Sequence, residues 1–135
     1  MPIRRSTYQS TESLESFYKR AEWTGATKII ANKMLELINI INEIFVDTYL
    51  IASTSHQRLC IQQDDDEKLS WLIIISNSAS DEFHIQYKMP QNKSPWKNAW
   101  ITGTAKDINE AKIYLIRAMK ETGNWKNNSE LNNLK

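Results

Sequence analysis

The spacing of apolar residues changes period twice along this chain, and that change decides what it can fold into. In the first stretch Ile30, Met34, Leu37, Ile38, Ile41, Ile44 and Phe45 recur at three and four residues, while Lys28, Asn32, Lys33, Glu36, Asn39 and Glu43 fall largely elsewhere. Such a stripe belongs to an amphipathic helix with one face on a core. From about residue 49 the period drops to two, in short apolar runs over 49–53, 57–63, 69–76, 82–89 and 99–105 separated by polar clusters. That is the pattern of an antiparallel meander. In the fourth run Phe83, Ile85 and Tyr87 alternate with His84, Gln86 and Lys88, so one face meets the core and the other water. The third, Trp71 to Ile75, does not alternate and predicts a central strand covered on both faces.

After Ala105 the helical period returns with Asp107-Ile108-Asn109-Glu110, where Asp107 can cap and Glu110 can reach back to free backbone donors. Gly123 supplies a left-handed terminator. Near the start, Leu14, Phe17, Tyr18 and Ala21 predict a helix over about 11–22, capped by Ser10 or Thr11 and broken at Trp23-Thr24-Gly25. The second helix should end near 46–48, although Tyr49 could prolong its stripe. Fraying is expected over about 1–10 and 126–135, where polar residues dominate. The expected architecture is a single α+β domain over 1–135: two N-terminal helices, an antiparallel meander of four or five strands, and a C-terminal helix packed on one face of the sheet.

At 135 residues the chain can bury roughly two thirds of its unfolded surface, enough to fold without a disulfide or structural metal. Seventeen basic against sixteen acidic side chains give +1, which argues against direct nucleic-acid binding. A lone cysteine, a start without a secretory apolar core and the lack of any long apolar run predict a cytoplasmic protein with no membrane partner. Three glycines, at 25, 103 and 123, make no phosphate-cradling loop. The glycosylation-like Asn92-Lys93-Ser94 and Asn127-Asn128-Ser129 carry no meaning in that compartment.

Cys60, His56 and Asp47 have the residue types of a nucleophilic triad. Yet 56 and 60 on one strand stand about 13 Å apart, so burial of Cys60 is the better reading. His56 and His84 lack metal-ligand spacing, and no cofactor is implied. No catalytic residue and no metal site are assigned, and the chain is not expected to be an enzyme.

Two features point instead to recognition. Asp64-Asp65-Asp66-Glu67 concentrates like charge on one turn, either as a solvated hairpin tip or as a phosphate-like surface that steers a basic partner such as a nuclease cleft. Trp96 and Trp100, in Pro95-Trp96-Lys97-Asn98-Ala99-Trp100, are candidate interface anchors or loop plugs. The predicted contact surface is therefore Asp64, Asp65, Asp66, Glu67, Trp96 and Trp100.

The order Phe83-His84-Ile85-Gln86-Tyr87-Lys88-Met89-Pro90, Pro95-Trp96, Ala99-Trp100, Glu110-Ala111, Ala118-Met119 and Gly123-Asn124-Trp125 resembles the layout of small bacterial immunity proteins of polymorphic or contact-dependent toxin systems. The resemblance covers about a third of the chain and transfers no residue roles. It implies a non-catalytic protein that neutralises one cognate toxin domain by covering its active site. The competing expectation is a small-molecule-binding module or small enzyme with a pocket between the central helix and the sheet, lined by Tyr49, Trp71 and Tyr87. A third is self-association through an exposed strand edge.

Overall fold

A computed structural model describes residues 3–134. Its elements in chain order are β1 (Ile3–Arg5), α1 (Leu14–Tyr18), α2 (Ala26–Ile44), β2 (Leu50–Ser55), β3 (Arg58–Gln62), β4 (Ile73–Asn77), β5 (Phe83–Lys88), a 3-10 turn (Gln91–Lys93), β6 (Trp100–Ala105), α3 (Ile108–Thr122) and α4 (Ser129–Asn132). The six strands form one mixed sheet in the order β1-β2-β3-β4-β5-β6. β2 to β6 are the antiparallel meander, and β1 lies parallel to β2. The fold is α+β, with six strands where four or five were expected.

The additional strand is β1, whose return to β2 passes through α1 and α2, as a parallel pair requires a crossover. Its three residues include two arginines, so no periodicity marks it. Long-range partners hold it: the Ile3 amide donates to Asn42 Oδ1 at 3.1 Å, and Arg5 packs over the Phe17 ring while pairing with Glu12 and Thr54.

α2 and α3 lie against each other on one face of the sheet, α3 over β5 and β6 and α2 against β1 and β4. Beneath them the strand residues of one parity, Leu50, Ala52, Leu59, Ile61, Ile73, Ile75, Phe83, Ile85 and Ala105, are buried in a cluster that runs from Ile3 to Leu131. The opposite face, here the outer face, carries the other parity.

α1 is shorter than the apolar spacing predicts. Ser13, not Ser10 or Thr11, caps it by accepting from the Ser16 amide at 3.0 Å. The Trp23 indole donates to the Phe17 carbonyl at 2.7 Å, occupying an acceptor that a longer helix would use. α2 stops at Ile44 because Phe45 turns extended into the core, which leaves Tyr49 exposed and off the stripe. α3 begins and ends as its capping residues require: the Glu110 amide donates to Asp107 Oδ1, the Lys106 amide donates to Glu110 Oε1, and Gly123 takes φ 79°.

Both segments expected to fray form secondary structure instead; Met1, Pro2 and Lys135 lie outside the described residues. The N-terminal part is tied down by β1, and the C-terminal part by α4, where Leu131 is buried and Glu130 reaches the α2–β2 corner. β4 sits in the interior of the sheet as expected, but its strand starts only at Ile73. Trp71 and Leu72 belong to the preceding loop, and Ile74 is half-covered on the outer face.

Candidate functional site

The outer face is closed at one end and open at the other. Register places Ser53, Cys60, Ile74, Gln86 and Thr102 in one row across β2 to β6. Ser53 and Cys60 are buried, Ile74 and Gln86 half-buried, and Thr102 exposed. The closure is built by residues 6–8: Ser6 Oγ pairs with Ser53 Oγ at 2.8 Å, and the Tyr8 hydroxyl donates to Gln62 Oε1 at 2.5 Å.

The β3–β4 loop folds back onto the same region. Gln62 Nε2 donates to the Asp64 and Asp66 carbonyls, Asp65 Oδ1 accepts from the Thr7 amide at 2.9 Å, and Asp66 Oδ1 accepts from the Lys68 amide at 2.9 Å. The acidic run is thus a fastened corner. All four of its residues remain exposed.

Between this corner and the β5–β6 end lies an open depression of about 580 Å³, bounded by Tyr8, Glu67, Leu69, Trp71, Lys88 and Trp100. Alternation on β5 turns Lys88 outward, and its register partner on β6 is Trp100. The structure therefore brings together two of the residues singled out from the sequence, Glu67 and Trp100. Asp64, Asp65 and Asp66 stand in the loop beside them. Trp96, 72% exposed on the β5–β6 connection, is not among the residues lining that depression.

Tyr8, Leu69, Trp71 and Lys88 were not singled out as contact residues. Lys88 was within reach of sequence reasoning, since the β5 alternation already sends it outward. Tyr8 gave no periodic signal, because an irregular segment carries it, and Leu69, which the sequence places at the start of the 69–76 run, lies in the β3–β4 loop.

The other candidates are dispersed. Cys60 is buried between Ser53 and Ile74 on the sheet, and burial pushes its thiol up to about 11, with Arg58 opposing. A thiol so shifted is a poor nucleophile at neutral pH. His56 occupies the β2–β3 turn at φ 57°, a place hairpins commonly give to glycine. Asp47 uses its amide on Glu130. His84 Nδ1 shares a hydrogen bond with the Thr104 hydroxyl at 3.3 Å. Among the described residues no group of three or more His, Cys, Asp or Glu side chains is placed to hold a metal, and no helix is long and apolar enough to cross a membrane.

Tyr49, Trp71 and Tyr87, expected to line one pocket beneath the central helix, are separated. Tyr49 stacks under the Arg4 guanidinium, Trp71 borders the outer depression, and Tyr87 lines a cleft under α3. Comparison with protein-family models, with curated proteins and with solved structures finds no match.

Proposed function

We propose that this chain is a non-catalytic binding protein that seats a protein partner on its outer sheet face. The partner class implied by its layout is a bacterial toxin domain whose active site the chain covers, as an immunity protein. The observation that carries the reading is the depression in which Trp100 and Trp71 stand between Lys88 and Glu67, beside the fastened acidic corner.

Such a surface has the composition of a recognition patch. Two indoles and Leu69 offer apolar area at small entropic cost, and an acid and a base at the rim fix orientation. Because Asp65 and Asp66 are already tied to backbone amides, their charges are presented in a set arrangement and need little ordering on binding. A partner rich in Lys and Arg, as a nuclease cleft is, would be steered to this end of the sheet.

The test takes the coding sequence adjacent to this chain's and, where it specifies a toxin-like domain, purifies that domain with its active site intact. The native chain should form a one-to-one complex and abolish the toxin activity. Trp100→Ala should weaken binding by about 2 kcal/mol or more, mainly through faster dissociation. Neutralising Asp64, Asp65, Asp66 and Glu67 together should slow association and flatten its salt dependence. Unchanged dissociation in Trp100→Ala would remove the outer face from the interface.

A further inference from the structure

We propose that two copies of this chain pair antiparallel through β6, edge to edge, about a two-fold axis that passes beside Thr102. The inference rests on the sheet edge and the helical side of the molecule, and is independent of the outer-face reading.

The phase of the ladder comes first. The Met89 amide donates to the Ala99 carbonyl at 2.9 Å, in line with the register that pairs Phe83 with Ala105 and Ile85 with Gly103. Odd-numbered residues of β6 therefore turn their backbone groups toward β5, and Trp100, Thr102 and Thr104 point theirs away from the sheet. Among the described residues no hydrogen bond reaches these groups.

β6 is six residues long, has no charged residue and no proline, and among the described residues no further strand pairs with its free side, whereas the opposite edge strand, β1, is three residues long and carries two arginines. Natural sheets usually protect an edge of this length.

What fits it best is the same strand. Centred on Thr102, self-pairing sets Thr102 against Thr102 and Trp100 against Thr104 of the second copy, which satisfies every outward amide and carbonyl of the strand. On the helical side Ile101 then meets Gly103 of the second copy, over which that copy's Tyr114 ring lies. This register also keeps the helices of both copies on one face of a continuous sheet.

A second observation points to the same occupant. On the helical side of the edge an apolar cleft of about 270 Å³ is lined by Ile85, Tyr87, Ile101, Gly103, Tyr114 and Arg117. Ile101 is 41% exposed there, and Ile113, on the adjoining helix, 50%. Tyr114 lies against Gly103, so close that an added Cβ would sit 3.3 Å from its ring, which sets Tyr114 near the level of the axis.

One helical turn to either side of Tyr114 stand Glu110 and Arg117. A two-fold axis at Tyr114 places Glu110 of each copy opposite Arg117 of the other. The apolar cleft faces its own image, with opposite charges at both ends.

Sedimentation and light scattering of the full chain decide the matter. The native protein should show a concentration-dependent mass approaching two chains. Of the backbone hydrogen-bonding groups Thr102→Pro removes an outward-pointing amide and none that bonds β5, and although the ring also fixes φ, self-association should weaken by more than about tenfold. Arg117→Glu should weaken it as well, and Glu110→Lys combined with Arg117→Glu should restore it. This exchange serves as the readout if Thr102→Pro does not fold. A native chain that stays monomeric at the highest attainable concentration overturns the proposal. So does a dimer whose strength is unchanged both by Thr102→Pro and by Arg117→Glu. A native chain that dimerises but binds no toxin domain would strike only the outer-face reading.

Discussion

Replacing Glu130 by alanine tests how the C-terminal segment is held, and the structure sets the size of the effect. One carboxylate accepts from the Val46 amide at 2.9 Å, the Asp47 amide at 3.1 Å, the Thr48 amide at 2.9 Å and the Thr48 hydroxyl at 2.6 Å. Val46 and Asp47 are exposed, so water takes over their amides and little is lost there. Thr48 is 5% exposed, and its two donors lose a charged acceptor that water replaces poorly. Hydrogen bonds to charged groups contribute about 1.5–3 kcal/mol each, and Asn128 remains within reach of the Thr48 hydroxyl, so the net cost should be about 2–3 kcal/mol. For a domain of this size that corresponds to a fall in melting temperature of roughly 10 °C.

The same site gives a pH signature. The Thr48 hydroxyl bond, together with the Asp47, Val46 and Thr48 amides, holds the Glu130 carboxyl below its ordinary value of 4.5 against the opposing effect of burial. A folded-state value below the unfolded one means that the stabilisation is complete above about 4.5 and disappears as pH falls through the lower folded value. Urea unfolding from pH 7 down to pH 3 should show this loss in the native chain and a flatter profile in Glu130→Gln. Glu130→Ala with native stability at pH 7, or identical pH profiles for the native chain and Glu130→Gln, would refute the reasoning.

Three further measurements follow from the same structure. Gly123→Ala should cost about 1 kcal/mol in thermal unfolding, because φ 79° strains any side chain although nothing stands within 4 Å of the added Cβ. Tyr8→Phe leaves Gln62 Oε1 without its donor at the closed end of the outer face and should cost about 1–2 kcal/mol by urea titration. Cys60 should react with a thiol reagent at pH 8 no faster than the chain opens, since the group is buried and its thiol is raised to about 11, and labelling at the rate of a free cysteine would show the site to be accessible.

What could be read in advance was whatever local chemistry determines. α2 and α3 show themselves by a stripe and by Asp107, Glu110 and Gly123, all within a few residues of the bonds they make. The strands of the meander likewise follow from alternation and turn residues. β1 could not be read that way: Ile3, Arg4 and Arg5 become a strand only because β2 offers an edge 47 positions further on, Ile3 beside Leu50. The C-terminal anchor is similar, since Glu130 among polar neighbours acquires meaning only from Thr48. The site divides along the same line. Glu67 and Trp100 stood out by composition, while Tyr8, Leu69 and Trp71 join them through loops whose course depends on tertiary bonds such as Thr7 to Asp65.

The two ends of the sheet are treated in opposite ways, and this asymmetry gives both proposed surfaces their place. At β2 the chain spends Ser6, Tyr8 and Gln9 on closure. The Gln9 amide group bonds both the Thr54 amide and the Thr54 carbonyl, doing for β2 what another strand residue would do. At β6 no such device is present among the described residues, although β6 is as long as β2. A sequence under no demand to bind could have placed a lysine or proline there at almost no cost in stability, since outward groups of an edge strand hold nothing in the monomer. Instead the edge carries Trp100, Thr102 and Thr104, with Ile101 turned to the helical side. Polar satisfaction at β2 and apolar exposure at β6 make the open half of the sheet the part of the molecule suited to contact.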